Sequence, residues 1–227
     1  MSITYHDLPQ YSEEWWEVRR GVPTASNFSS MMTPKKQEFT LSGSMTYAYQ
    51  LCGERLSQSY GAPEENYQSA AMKQGVLMEP RVRAAYEFHT GHTVKPIGFV
   101  VNNDLEIGGS PDGLIGEDGG LECKYPTAKT MAQWMDTLQP QIPDEHKAQV
   151  HGSLIVSGRE WWDFMAWHDG FSPLIVRVEW DDYTEKLESC IGQFRRLYSE
   201  TWSRLIKLNP QPEPVANNPD DDLPPMF

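Results

Sequence analysis

The feature that most constrains this chain is a short segment in which two carboxylates and an ammonium group lie on either side of a turn. Gly109-Ser110-Pro111-Asp112-Gly113-Leu114 is followed by Leu121-Glu122-Cys123-Lys124. Residues 116–120, between them, are Gly-Glu-Asp-Gly-Gly, a turn sequence whose glycines we expect to adopt φ > 0. Apolar residues flank both carboxylates, so the pattern predicts two short strands joined as a hairpin.

The hairpin would bring these charged groups together. Side chains two positions apart in a strand share a face, so Glu122 and Lys124 point the same way, and the partner strand can bring Asp112 beside them. Two carboxylates suit Mg²⁺, and a neighbouring lysine can orient a water or balance charge during attack on a phosphodiester. The alternative is a surface hairpin with an ordinary cross-strand pair between a lysine and an acid, and the spacing alone leaves both interpretations open.

Four separated motifs form a more specific pattern. Pro111-Asp112 and Glu122-Cys123-Lys124 match the PD…(D/E)xK signature of a nuclease superfamily. Arg19-Arg20-Gly21-Val22-Pro23-Thr24-Ala25-Ser26 precedes them, and Ala148-Gln149-Val150 follows. In this order the motifs resemble the phage lambda exonuclease family of YqaJ-type viral recombinases, over roughly residues 12 to 180. The resemblance implies an α/β, restriction-endonuclease-like fold with a central mixed β-sheet flanked by helices.

The resemblance also assigns roles at the hairpin. Asp112 and Glu122 are the expected metal ligands, together with the main-chain carbonyl of Cys123, whose side chain we expect to be a small buried hydrophobe. Lys124 is expected to position or activate the attacking water. The implied cofactor is Mg²⁺, for which Mn²⁺ should substitute.

Three further residues match the family at positions outside the hairpin. Glu79, on a predicted helix, matches the glutamate that this family places by its metals, where it binds a second ion directly or through water; its alternative is a solvated helix acid. Gln149 matches a glutamine near the metal-bound water or the scissile phosphate. Met72 lies where the family presents an apolar wedge to a duplex end, although a methionine at helical spacing is more often a core residue.

A second group concerns the end of the substrate. Arg19, Ser26 and Ser110 match the positions that hold the 5′-phosphate of the degraded strand in the lambda exonuclease family. A guanidinium binds phosphate through two hydrogen bonds, and hydroxyls and helix N-terminal amides add donors. The alternative is that Ser26 only caps a helix and Arg19 only pairs with Glu13 or Glu14.

Apolar spacing and capping residues predict the remaining elements. Predicted helices begin at the Ser12 cap, at Thr24 or Ser26, at about Ser44, Ser69 and Ala128, at Asp144, and at Asp181 or Asp182, the last running to about Leu208. Predicted strands other than the hairpin lie at about 93–101, 106–109, 161–167 and 174–180.

Composition limits the class of protein. The 227 residues suffice for one nuclease domain, which we place at residues 1–208, and the Pro-rich, acidic stretch 209–227 is predicted to be disordered. Three scattered cysteines argue against structural zinc, a disulfide framework and an iron–sulfur cluster. No apolar run approaches the length of a membrane span, so we expect no membrane association and a cytoplasmic location, that of a bacterial host cell.

The charge of the chain bears on its partners. A net charge of −13 is unfavourable for binding phosphates, unless the basic residues collect on one face or in one channel. Charge alone leaves open whether nucleic acid is a partner.

The resemblance implies a Mg²⁺-dependent 5′→3′ exonuclease that acts on the ends of double-stranded DNA and leaves 3′ overhangs for recombination. A ring-shaped homotrimer and cooperation with a single-strand annealing protein are implied in the same way. The alternatives are a restriction-type or structure-selective endonuclease of the same superfamily and a non-catalytic DNA-end-binding module.

Overall fold

The computed structural model describes residues 2–57, 70–138 and 140–210. Its strands are β1 Ile3–His6, β2 Val94–Lys95, β3 Phe99–Asn102, β4 Ile107–Gly109, β5 Gly113–Ile115, β6 Gly119–Lys124, β7 Trp161–Ala166 and β8 Leu174–Glu179. Its helices are α1 Glu13–Arg19, the 3-10 helix Ala25–Met31, α2 Leu41–Ser57, α3 Ala70–Thr90, α4 Ala128–Thr137, α5 Asp144–Ser157 and α6 Asp182–Leu208.

The larger sheet is mixed and has the strand order β2-β5-β6-β7-β8. The predicted hairpin is present as β5 and β6, which pair antiparallel with Gly113 opposite Leu121. β6 then pairs in parallel with β7, with Glu122 opposite Phe164. A smaller sheet has the order β1-β3-β4. The predicted fold class, a mixed β-sheet flanked by helices, is therefore confirmed.

The two faces of β6 meet different surroundings. Leu121 and Cys123 belong to a small core with Val82 and Tyr86 of α3. The main core, built from α2, α5 and α6 and including Phe164 of β7, packs as a separate cluster. Because side chains alternate along a strand, residues 122 and 124 are left on the opposite face from 121 and 123.

Helix α5 is buried along most of its length. Its residues contribute to the main core, and Gly152 lets it approach the 3-10 helix closely, since a Cβ there would lie 2.6 Å from the ring of Phe28. α5 is therefore held firmly, which fixes the position of Gln149 near its N-terminal end.

The glycines of the hairpin differ from the prediction. Gly116 has φ +53, as expected in the turn, but Gly119 and Gly120 belong to β6 and have no positive φ. A Cβ at either position would collide with the indole of Trp161 or Trp162 on β7. These two glycines are required by ring packing and not by the turn.

Other expectations were only partly correct. The predicted strand 93–101 is two strands in different sheets, because Gly98 passes against the backbone of Leu8 and donates its N–H to His6 O. Strand β1 was missed, since four partly exposed residues give little periodic signal. The short helix predicted from Thr24 or Ser26 is a 3-10 helix, and Thr24 makes no side-chain cap.

Two other predicted caps are present. Ser12 Oγ accepts from the amide of Trp15 at the start of α1, and Asp181 forms a capping box at the start of α6. Residues 211–227, in the predicted disordered tail, lie outside the described residues, so the division at 208 stays a prediction. Within the described ranges, no helix combines the length and apolar character that crossing a membrane requires.

Candidate active site

The hairpin brings the predicted carboxylates together. Asp112 immediately precedes β5, and its Oδ2 accepts from the main-chain amide of Cys123 at 2.6 Å. On the same strand as Cys123, Lys124 Nζ donates to Glu122 Oε1 at 2.5 Å. The side chain of Glu122 is 2% exposed and that of Lys124 is 26% exposed, and β5 and most of β6 are buried, so the hairpin does not lie on a solvated surface. The surface-hairpin alternative is therefore wrong.

Helix α5 closes this group from the side. Gln149 Nε2 donates to Glu122 Oε1 at 2.7 Å, and Lys124 Nζ lies 3.4 Å from Gln149 Oε1. The amide therefore contacts both charged groups and restricts their rotamers. The structure thus places Gln149 beside Glu122 and Lys124, and its contact with a metal-bound water or the scissile phosphate stays a prediction.

Glu79 reaches the same site from α3, through an arginine that the sequence analysis missed. Arg83 Nη1 donates to Glu79 Oε1 at 2.5 Å and to the main-chain oxygen of Asp112 at 2.9 Å. One guanidinium therefore links the helix glutamate to the segment that carries Asp112. An arginine four residues after a glutamate on a helix is the sequence signal that indicates such a pair.

Electrostatics at the site are dominated by burial. Burial raises the pKa of Asp112 well above its usual value, and the negative charges of Glu122 and Glu79 raise it further. Burial also raises the pKa of Glu79, although Arg83 opposes the shift. For Lys124, burial acts to lower the pKa, but Glu122 and Asp112 together outweigh it, and the pKa is raised. The lysine is therefore a stable ammonium among crowded acids.

The donors of the site fit a hard divalent cation. Within the described ranges, no group of three or more His, Cys, Asp or Glu side chains is arranged to hold a metal ion. Asp112 and Glu122 nevertheless provide two buried carboxylates, and Mg²⁺ uses one or two carboxylates together with waters and phosphate oxygens. The mutual repulsion of these acids would be relieved by a cation.

The side chain of Cys123 lies away from these oxygens. It packs in the small core with Leu121 and Val82, as expected of a small hydrophobe. Burial raises the pKa of its thiol well above its ordinary value, which disfavours the thiolate form that binds metal. All three cysteines are free and buried.

The second predicted group also assembles. Arg19, the last residue of α1, donates to Ser110 Oγ at 3.4 Å through Nη1 and to Ser26 Oγ at 3.4 Å through Nη2. A parallel bridge between Thr24 and Gly108 draws the two serine-bearing segments together. The pairing of Arg19 with Glu13 or Glu14 is absent from the ion pairs of the described residues, where Arg20 pairs with Glu17 instead.

Two further residues of this group were not predicted. Thr24 Oγ1 accepts from Arg19 Nη2 at 3.3 Å, and the amide of Thr24 donates to the buried hydroxyl of Tyr47 at 2.9 Å. The guanidinium of Arg19 lies 4.9 Å from the centre of the Trp15 ring. Thr24 belongs to the Thr-Ala-Ser motif, from which the sequence analysis assigned only Ser26 to this group. Tyr47 lies on α2, and no sequence motif around it indicates a contact with Thr24.

A single cavity of about 860 Å³, which we call the main cavity, contains both groups. Arg19, Ser26 and Ser110 line one part of it, and Asp112, Glu122, Lys124, Glu79 and Gln149 line another. Val76 of α3 contributes to the wall. Met72 belongs to the first turn of the same helix, but its side chain lies outside the described residues, so the wedge stays a prediction.

A mixed sheet whose hairpin presents an aspartate, a glutamate and a lysine in this arrangement defines the PD-(D/E)xK class of nuclease folds. Residues 14–160 match the YqaJ-like viral recombinase domain. The match covers more than half of the chain, which belongs to this family.

Solved structures agree with this assignment. The alkaline exonuclease (LHK-Exo) of Laribacter hongkongensis is 26% identical, with a TM-score of 0.73 over 87% of this chain and 97% of that one. LHK-Exo in complex with dAMP is 27% identical, with a TM-score of 0.74 over the same shares. A phage related exonuclease from Haemophilus somnus 129PT, 10% identical, has a TM-score of 0.56 over 84% and 99% of the two chains and shares the fold.

No curated protein sequence matches the chain significantly. The family and the solved structures together place the protein among exonuclease-type enzymes.

Proposed function

We propose that the protein is a Mg²⁺-dependent 5′→3′ exonuclease that degrades one strand of linear double-stranded DNA from its ends and leaves 3′ overhangs for recombination. The observation that carries the proposal is the single cavity shared by two groups of residues. The carboxylate–lysine group consists of Asp112, Glu122 and Lys124, and the Arg19 group consists of Arg19, Ser26 and Ser110. One part of it can hydrolyse a phosphodiester, and the other can hold a terminal phosphate.

In the proposed reaction, Asp112, Glu122 and the main-chain carbonyl of Cys123 would hold the cation, and Glu79 would bind a second ion directly or through water. A bound Mg²⁺, or Mn²⁺ in its place, would polarise the phosphate and lower the pKa of water. Lys124, kept in place by its bonds to Glu122 and Gln149, orients the attacking water and balances the charge that develops.

The Arg19 group supplies the direction of digestion. A 5′-phosphate held by Arg19, Ser26 and Ser110 would fix the terminal nucleotide, so that the next phosphodiester reaches the carboxylates. Hydrolysis at that bond releases a mononucleotide. The complex of the Laribacter hongkongensis enzyme with dAMP, a deoxynucleoside monophosphate, supports a product of this size.

The partners follow from the family resemblance. We propose a ring-shaped homotrimer around DNA, a single-strand annealing protein as the recombination partner, and a cytoplasmic location in a bacterial host. A ring would also collect the basic residues of a chain of net charge −13 into one channel. Light scattering of the purified protein tests the trimer directly, since a monomeric mass of 25.9 kDa contradicts it.

The function is tested with a linear duplex whose two ends differ only in 5′-phosphorylation, incubated with Mg²⁺ beside the matching closed circle. We expect release of mononucleotides from the phosphorylated end and an intact circle. Cutting of the circle would favour the endonuclease alternative, and absence of cleavage with Mg²⁺ or Mn²⁺ would favour a binding module.

A matched pair of variants assigns the chemistry to the site. Lys124→Ala should be inactive on both ends, whereas Lys36→Gln, at an exposed position, should retain activity. Equal activity of wild type and Lys124→Ala would contradict the proposed role of the lysine.

A further inference from the structure

A second cavity, of about 650 Å³, lies on the other side of the end of α1. Three arginines from three separate helical regions line it, and we call it the arginine cleft: Arg20 follows α1, Arg55 belongs to α2 and Arg195 to α6. Among the described residues, one acid lines it, Glu106. Neither the family match nor the proposed chemistry assigns a role to this cavity.

The charge of the arginine cleft is opposite to that of the chain. The whole chain carries −13, yet the part of α6 from Arg195 to Lys207 holds four basic residues and one acid. The basic residues are Arg195, Arg196, Arg204 and Lys207, and the acid is Glu200. Of these basic residues Arg195 lines the cavity, whose lining holds three arginines and Glu106, and Arg20 is paired with Glu17 at 2.6 Å. An excess of arginines in a cavity favours the binding of phosphates.

One arginine of the cleft is held in place by its neighbours. The guanidinium of Arg55 lies 3.8 Å from the centre of the Trp202 ring. Its aliphatic part covers Gly21, which has φ +67 and where a Cβ would collide with it. Tyr198, also in the lining, donates its hydroxyl to Gly21 O at 2.9 Å. A guanidinium stacked on an aromatic ring is positioned for a phosphate before the ligand arrives.

The second arginine has unused hydrogen-bonding capacity. Arg195 Nη2 contacts Glu106 Oε2 and Asp104 O, each at 3.2 Å. The Glu106 side chain is 80% exposed, so an incoming anion can displace it at little cost. Arg195 Nε is buried and has no hydrogen-bond partner among the described residues.

The position of the arginine cleft indicates which nucleic-acid strand can reach it. It shares Arg20 and Val22 with the main cavity but none of the acids there. In the proposed reaction the degraded strand runs from its 5′-phosphate at Arg19 toward the carboxylates and beyond. The complementary strand, once its partner nucleotides are removed, extends in the opposite direction, on the Arg19 side, as a 3′ single strand.

We infer that the arginine cleft binds backbone phosphates of the 3′ single-stranded overhang that the digestion produces. This inference rests on the proposed function for the direction of the overhang. Arginines beside aromatic rings, here Trp202 and Tyr198, are the combination with which proteins bind single strands without reading their sequence. The cleft would retain the product strand and keep the enzyme at the junction between cycles.

The test measures binding of wild type to three duplexes in EDTA, so that no strand is cut: one blunt, one with a 3′ overhang and one with a 5′ overhang of equal length. We expect about tenfold tighter binding of the 3′-overhang duplex than of the other two. Equal affinity for the three duplexes overturns the inference and requires no variant.

The double variant Arg55→Gln/Arg195→Gln should lose this preference while binding the blunt duplex as wild type does. Loss of two single-strand phosphate contacts should also reduce the salt dependence of log Kd by about 1.4. Arg196→Gln, which removes one positive charge from an exposed position next to Arg195, should keep the preference and is the control for the single variant Arg195→Gln. If Arg196→Gln loses as much of the preference for the 3′ overhang, the effect comes from the general positive charge, and the inference that the arginine cleft binds the overhang is overturned.

Two further measurements separate the possible failures. If the double variant does not fold, judged by thermal unfolding, the single variant Arg195→Gln replaces it, and an unchanged preference there overturns the inference. Cleavage of a 5′-phosphorylated duplex is measured in parallel with Mg²⁺. If wild type cleaves normally but shows no preference for the 3′ overhang, only the proposed role of the arginine cleft is rejected. If wild type does not cleave, the proposed function is rejected.

Discussion

The two parts of the main cavity differ in how their charges are satisfied. At the hairpin, Glu122 accepts two hydrogen bonds of 2.5 and 2.7 Å, from Lys124 and Gln149. At the other end, Arg19 contacts hydroxyl groups at 3.3–3.4 Å, and no carboxylate of the described residues lies within ion-pair distance of it. At the hairpin, the charges of Glu122 and Lys124 are paired through short hydrogen bonds. At the other end, the guanidinium of Arg19 has only weak, neutral hydrogen-bond partners.

This difference separates catalytic geometry from recognition. Short bonds around Glu122 fix atoms that must be aligned before reaction, where small displacements are costly. Long bonds around Arg19 leave its charge available for an anion, so that little internal bonding has to be broken when phosphate binds. Substitutions at the hairpin should therefore reduce cleavage itself, whereas substitutions around Arg19 should reduce the discrimination between 5′-phosphorylated and 5′-hydroxyl ends.

The largest effect is expected at the hairpin. Asp112→Asn should reduce cleavage by at least about 1,000-fold, since it removes a proposed metal ligand. The same change replaces a buried carboxyl group whose ionised form is disfavoured by burial and by Glu122 and Glu79, so the metal-free variant should unfold at an equal or higher temperature than wild type. Activity assays and calorimetry in EDTA measure the two effects. A variant that is both inactive and strongly destabilised would instead indicate a structural role.

The next effect should appear at the recognition end and depend on the substrate. Arg19→Gln should lower kcat/KM on 5′-phosphorylated ends by about 10- to 100-fold, because it loses charge-assisted hydrogen bonds of about 1.5–3 kcal/mol. Activity on 5′-hydroxyl ends should change little, so the discrimination between the ends collapses. Lys36→Gln is the control for loss of one positive charge. An equal loss on both ends would contradict the separation of the two parts.

A smaller effect should follow from the link between α3 and the hairpin. Arg83→Gln removes the donor to Glu79 and to the carbonyl of Asp112, and should raise the Mg²⁺ concentration for half-maximal activity by about tenfold. Arg83→Lys keeps the charge but not the two-pronged geometry, and should lie between wild type and Arg83→Gln. A Mg²⁺ titration of cleavage tests this order. Unchanged Mg²⁺ dependence would show that the link does not position the acids.

The smallest effect concerns the stability contributed by His146, which lines the main cavity. Burial lowers the pKa of His146, which stacks on Phe164, to about 3. Because the unfolded histidine has a pKa of about 6.5, the contribution of the neutral ring is fully present above that pH and is lost as pH falls toward 3. His146→Phe should therefore lose less stability than wild type between pH 7 and 4 in denaturant titrations, whereas the exposed His89→Asn should follow wild type.

The sequence was most informative where the determinants are local. Alternation on one strand predicted that Glu122 and Lys124 share a face, and Ser12 and Asp181 were recognisable as caps. Gln149 and the Arg19 group could be named only through the family resemblance, since the contacts that assemble them join distant segments. Arg83 was missed because its meaning depends on Asp112, which lies 29 residues away.

Packing explains the errors. Gly119 and Gly120 were interpreted as turn residues because the sequence does not show that two indoles on β7 would cover them. The extended stretch 93–101 could not be divided between two sheets before the position of Leu8 was known. In each case the deciding neighbour comes from a remote part of the chain.

The sequence separations at the site also have a consequence for folding kinetics. The hydrogen bond between Cys123 and Asp112 joins residues 11 positions apart in the sequence, whereas the hydrogen bond between Arg19 and Ser110 joins residues 91 positions apart. The longer loop costs about 2 kcal/mol more in closure entropy, so we expect the hairpin to form early and the Arg19 contacts late. A partly folded chain would then possess its paired carboxylates before it could choose a 5′ end, and pulse-labelled hydrogen exchange should protect β6 before residues 24–27.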